Sequence, residues 1–150
     1  MQRSMVKPVV LGTLLCGSLD ILLAIFLTLS RGKHVGDMLR FVASGPFPSA
    51  TSMGDAGALL GLAVHFALMA IMVGVFMVAA RAWQRLTDRP STAGVIYGLI
   101  TYVVLDLVVV PLRFPAAWPP SGLSIATQLF AHVCLVGIPT ALIARRFLRG

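Results

Sequence analysis

The chain has 150 residues and a formal net charge of +7, yet only 11% of its residues are charged and 58% are hydrophobic, with a mean hydropathy of +0.94. Soluble domains carry about 25% charged residues, so these figures exclude an ordinary soluble fold and point to a lipid bilayer. They also exclude a nucleic-acid partner for the positive charge, because no soluble basic domain remains once the apolar segments are set aside.

Four continuous apolar segments, at about 8–30, 57–80, 92–112 and 123–144, are long enough to cross a ~30 Å hydrocarbon core at ~1.5 Å per residue. Barrel strands are about 10 residues with alternating polarity; these runs are more than twice that length and do not alternate. The expected fold is an all-α membrane protein, a four-transmembrane-helix bundle forming one integral membrane domain over residues 1–150.

The first span contains "GSLDILLAIF", which puts Asp20 in the middle of an apolar run. This run exceeds the about 7–15 apolar residues of a signal peptide, and no A-x-A-like cleavage site follows it, so a retained helix is expected. "TLLC" before Cys16 has a leucine where a lipoprotein cysteine is preceded by a small residue. Cys16 and Cys134 both fall within spans and are expected as buried small hydrophobes rather than a disulfide.

The first connection, "SRGKHVGDMLRFVASGPFPSATSMGD", repeats Val35, Met38, Leu39 and Val42 at helical spacing, with Lys33, Asp37 and Arg40 on other sides. That pattern predicts a short amphipathic helix at the membrane interface, ended by Gly45 and Pro46. In the second connection, "ARAWQRLTDRPST", Trp83 suits the headgroup level and Pro90 opens the next helix. In the third, "FPAAWPPSG", Phe114 and Trp118 suit the outer aromatic belt.

With four alternating spans, Arg3, Lys7, Arg81, Arg85, Arg89, Arg145, Arg146 and Arg149 fall on one side, and Arg31, Lys33, Arg40 and Arg113 on the other. The positive-inside rule then puts both termini in the cytoplasm. An internal echo accompanies this threading. "GTLLCGSLDILL" and "GLITYVVLDLVV" each place a glycine eight residues before the aspartate of a Leu-Asp pair. The second and fourth spans each run from a histidine to a basic end, so the chain reads as two hairpins in parallel repeat, each with one Asp and one His.

Each span thus carries one ionisable residue, Asp20, His65, Asp106 and His132, which form a candidate buried polar site. Helical spacing aligns each with small or polar residues: Gly12, Cys16, Asp20, Ala24 and Thr28; Gly57, Gly61 and His65; Gly94, Gly98, Tyr102 and Asp106; Gln128 and His132. Small residues at four-residue spacing let helices approach closely in lipid, so Gly12, Gly57, Gly61, Gly94 and Gly98 are expected at helix contacts and the ionisable groups inside the bundle. Counting from span ends puts Asp20 near the midplane and Asp106 in the outer half, so Asp20 is expected to pair with a histidine and Asp106 to stand apart.

Three roles fit such a cluster: a polar contact that only joins helices, a proton or ion site, or a metal or haem site. Two His and two Asp make a plausible first shell for a divalent ion, and His65 and His132 could ligate haem, but no dense ligand motif supports either, so no cofactor is expected. Met69, Met72 and Met77 suit core packing better than copper handling. No phosphate-cradling loop, nucleophile elbow or zincin motif calls for an enzyme.

The stretches "SLDILLAIFL", "DMLRFVASGPF", "GLAVHFALMAIMV", "RPSTAGVIYGLITYVVLDLVVVPLR" and "HVCLVGIPTALIARR" resemble small four-span bacterial inner-membrane proteins of unknown function over nearly the whole chain. The resemblance implies a bacterial inner-membrane location. It also implies that Asn is common where Asp106 stands, which suits Asp106 to a hydrogen-bonding role. The function expected is a small transporter or proton-linked permease. A non-catalytic membrane subunit of a partner complex and a haem- or metal-binding redox protein are the alternatives. Four spans are few for a monomeric transporter, so a homo-oligomer is expected, with the glycine rows as candidate interfaces.

Overall fold

The computed structural model describes residues 4–149; Arg3, counted above with the basic side, lies outside them. Lipid cannot satisfy a bare peptide group, so a spanning chain must close its own backbone hydrogen bonds. Accordingly the described residues contain helices and turns but no strand. Four helices are long and apolar enough to cross a membrane: α1 (Val6–Ser30), α3 (Gly54–Ala82), α5 (Pro90–Arg113) and α6 (Gly122–Leu148). Between α1 and α3 lies α2 (Val35–Ser44), and a single turn, α4 (Arg85–Asp88), lies between α3 and α5. The spans run a few residues beyond the apolar runs. Backbone pairing does not need apolar side chains, and Arg81, Arg113, Arg145 and Arg146 extend their helices into the last turn, where cations suit the dipole.

The last helix is the central one, with α6 packing on α1, α3 and α5. Lys7 and Arg146 line one surface, and Asp88 of α4 meets Arg149 at 3.5 Å, so both ends of the described chain sit at the same end of the bundle. Helix α2 sits at the other. In the half nearer the termini the interior is apolar and closed: Cys16, Val73, Phe76, Met77, Val136 and Thr140 are fully buried. Phe76 meets Tyr97 edge-on at 4.9 Å, and the Tyr97 hydroxyl donates to the Met72 carbonyl at 2.6 Å.

The glycines make these contacts close. A methyl group on Gly98 would lie 2.5 Å from the His132 carbonyl oxygen and 2.6 Å from Val133 Cα, and one on Gly94 would lie 2.6 Å from Ile138 Cα. At these crossings α5 and α6 therefore touch backbone to backbone. Gly12 faces Val73 and Ile143, Gly57 faces the Ala50 carbonyl, and Gly61 faces the backbone of Leu39 in α2. Two further glycines, Gly17 against Phe66 and Gly137 against Gly94, do the same and lie off the expected rows. All of these surfaces are occupied within one chain, so the glycine rows are not free to serve as interfaces between copies.

Helix α2 is clasped rather than simply resting on lipid. Arg113 donates to the carbonyls of Gly45 (2.6 Å) and Ser44 (2.9 Å), meeting groups that a helix C-terminus leaves open. Phe114 stacks on Phe41 at 4.3 Å and so is tied to α2, whereas Trp83 and Trp118 remain exposed. Arg40 donates to the Gly54 carbonyl at the start of α3. Cys16 is buried as expected, but Cys134 is exposed, because it faces away from the α5 and α1 contacts that bury its neighbours Ala131 and His132.

The two hairpins differ in helix type. Helices α1 and α3 are α-helical throughout, whereas α5 widens into a π turn over Val103–Val109 and α6 into another over Ala131–Gly137. Each π turn is followed two residues later by a proline, Pro111 or Pro139. Proline has no N–H and crowds the carbonyl four residues back; a locally widened helix relieves that clash.

Candidate functional site

The four ionisable residues fall into two pairs, one in each hairpin. In the first, the His65 Nε2–H of α3 donates to the Gly17 carbonyl at 2.9 Å, which turns Nδ1 toward Asp20 of α1, 3.8 Å away. In the second, His132 Nε2 of α6 lies 3.0 Å from Asp106 of α5. Both residues of this second pair sit in the π turns. Asp106 was expected to stand apart, but it makes the closer contact. A depth count at uniform α-helical rise ignores the wide turns that carry both residues.

A residue not anticipated from the sequence completes the second pair. The Thr101 hydroxyl donates to the Gly98 carbonyl at 2.9 Å and lies 2.9 Å from His132 Nδ1. A hydroxyl has one proton, and a carbonyl can only accept. With that proton committed to Gly98, Nδ1–H of His132 donates to Thr101, and Nε2 and Asp106 share the next proton. Either a carboxylic acid donates to Nε2, or an imidazolium donates to a carboxylate. Thr101 was legible as a mid-span threonine three residues after Gly98, a spacing at which threonine back-bonds to its own helix.

Burial grades the two pairs. The side chains of His65 and His132 retain 11% of their exposure and Asp106 retains 16%, whereas Asp20 retains 28%. Asp20 also lies within electrostatic reach of His132 and Asp106, so the two pairs are neighbours. The groups are nevertheless paired rather than gathered: among the described residues no three His, Cys, Asp or Glu side chains come together as a metal site would require. Tyr102 sets its ring edge-on to His132 at 6.1 Å, closing one flank of the second pair.

A cavity of about 780 Å³ opens at the α2 end between α1, α2 and α6. Its walls include Ala24 and Thr28 of α1 and Gln128 of α6. Ala24 is four residues beyond Asp20 and Gln128 four before His132, so each lies one helical turn, about 6 Å, from a member of the pairs and on the same helix face. Below the pairs, toward the termini, the same α1 face is shut. Cys16 is within 3.4 Å of the Thr140 hydroxyl, and Gly12 packs on Val73 and Ile143. The cavity therefore approaches the ionisable groups from the α2 side and ends one turn short of them, while the terminal side is packed.

No protein family, curated protein or solved structure matches the chain. What the site does must therefore be argued from its geometry.

Proposed function

We propose that this chain is a bacterial inner-membrane transporter or proton-linked permease, with both termini in the cytoplasm and Asp20, His65, Asp106 and His132 as its proton-handling site. The observation that carries this reading is the cavity that stops one turn short of Asp20 and His132 while the opposite half is packed closed. A site approached from one side and sealed from the other is the asymmetry on which alternating access is built. The basic residues at the terminal end support the cytoplasmic assignment of that end.

The chemistry follows from charge. An aspartate with a neutral histidine carries one negative charge; adding a proton makes the pair neutral overall, whichever atom holds it. In a low-dielectric interior a net charge is costly and a pair with no net charge is much less so. Proton loading therefore changes how readily the bundle can bury this region, which couples occupancy to conformation. Asp20, the most exposed of the four and one helical turn from the cavity wall, is the entry point, and the Asp106–His132–Thr101 set holds the deeper proton.

Reconstituted protein in liposomes containing a trapped pH-sensitive dye tests the reading. An imposed pH gradient should give faster dye response with the wild-type chain than with Asp20→Asn or Asp106→Asn. An identical response in all three would mean that the pairs only join helices.

A further inference from the structure

We infer that the cavity at the α2 end is a binding vestibule for a small amphipathic organic carboxylate; this deepens the proposed transport reading by naming its substrate class, although binding itself does not depend on transport. The wall divides by chemistry. Leu27, Met38 and Phe41 supply an apolar surface, and Arg31 and Lys33 stand beside them. The one acidic residue on the wall, Asp37, is already paired with Arg40. Among the described residues Arg31 and Lys33 make no ion pair, so the field in the cavity is positive.

Cations after the C-terminus of α1 are favourable on dipole grounds alone. That accounts for Arg31 and Lys33 but not for the opposite wall. There Ser124 and Gln128 of α6 present a hydroxyl and an amide that bond to no other described residue. Free donors on one side, unpaired cations on the other and an apolar surface between them match an anionic head on an apolar body. A volume near 780 Å³ falls in the range, about 300–1,000 Å³, of sites that enclose metabolite- to drug-sized ligands.

The class also fits the groups beneath. An anion moving inward meets Asp20 and Asp106, whose unprotonated pairs are negative, and like charges in a dry interior repel strongly. Protonation of those pairs removes the repulsion. A carboxylate is therefore a ligand whose inward passage requires the proton that the site is built to hold, whereas a cation would be drawn in by the unprotonated pairs and need none.

Calorimetric titration of the detergent-solubilised full chain tests this, with benzoate as probe and benzylamine, benzyl alcohol and inorganic phosphate as controls. Benzoate should bind at least about tenfold tighter than each control, and the combined Arg31→Gln, Lys33→Gln variant should lose about tenfold or more. Benzylamine or benzyl alcohol binding as tightly as benzoate, or an unaffected double variant, would overturn the charge assignment, and phosphate equal to benzoate would overturn the apolar body. Asp20→Asn, which removes a negative charge one turn beneath the wall, should bind benzoate at least as tightly as the wild type. Benzoate binding without any Asp20-dependent proton flux would remove the transport reading and leave the vestibule; Asp20-dependent flux without benzoate binding would do the reverse.

Discussion

The two hairpins solve the same problem, an aspartate and a histidine in an apolar bundle, with different backbones. In α1 and α3 the helices stay regular, the pair is loose at 3.8 Å and Asp20 is partly open. In α5 and α6 both helices widen, the pair closes to 3.0 Å and Thr101 fixes the ring. The difference assigns roles. The second hairpin is the rigid holder, braced by glycine-mediated backbone contact, and the first presents the more accessible group one turn from the cavity.

Breaking the brace should have the largest effect. In Gly98→Ala the new methyl meets the backbone at His132 and Val133, which cannot swing aside, so a loss of about 3 kcal/mol or outright misfolding is expected. Gly74→Ala, with nothing within 4 Å of the new methyl, should be neutral or gain a few tenths of a kcal/mol. Unfolding in mixed micelles compares the two, and equal stability would count against backbone packing at the α5–α6 crossing.

Next come the pairs themselves. His132→Ala leaves Asp106 without its partner and takes away the ring that Thr101 holds, and should cost about 1–2 kcal/mol, while His65→Ala, which removes one bond to Gly17 and a longer contact to Asp20, should cost about 0.6 kcal/mol. The reverse order in the same unfolding assay would invert the roles of the hairpins. The smallest effect sharpens the proton assignment. Thr101→Val keeps the shape but removes the acceptor at Nδ1 and should cost about 1 kcal/mol or less. Nitrogen chemical shifts of His132 should then move away from the Nδ1-protonated form, and unchanged shifts would place that proton elsewhere.

Much of this was legible in sequence, for identifiable reasons. Hydropathy locates spans because length and apolarity are what a bilayer selects. The four-residue rows locate Gly12, Gly57, Gly61, Gly94 and Gly98 because a regular helix repeats its face at that spacing. The same regularity hides Gly137, which sits inside a π turn where the period fails, and it hides the Asp106–His132 contact for the same reason. Pro111 and Pro139 were the available signal for those turns. The cavity was not legible at all: it forms where α2, packed on α3, leaves a space toward α1 and α6, a placement set by Arg113 and Gly61 on other helices.

One-sided access to the paired groups is the central claim, and cysteine accessibility tests it most directly. In a background carrying Cys16→Ala and Cys134→Ser, single substitutions Ala24→Cys, Gln128→Cys and Ala141→Cys would be treated with a membrane-impermeant maleimide from either face of sealed vesicles. The first two should react only from the face that carries α2, and the third, fully buried in the terminal half, from neither. Labelling of Ala24→Cys from the terminal face, or its protection from both faces, would contradict the account.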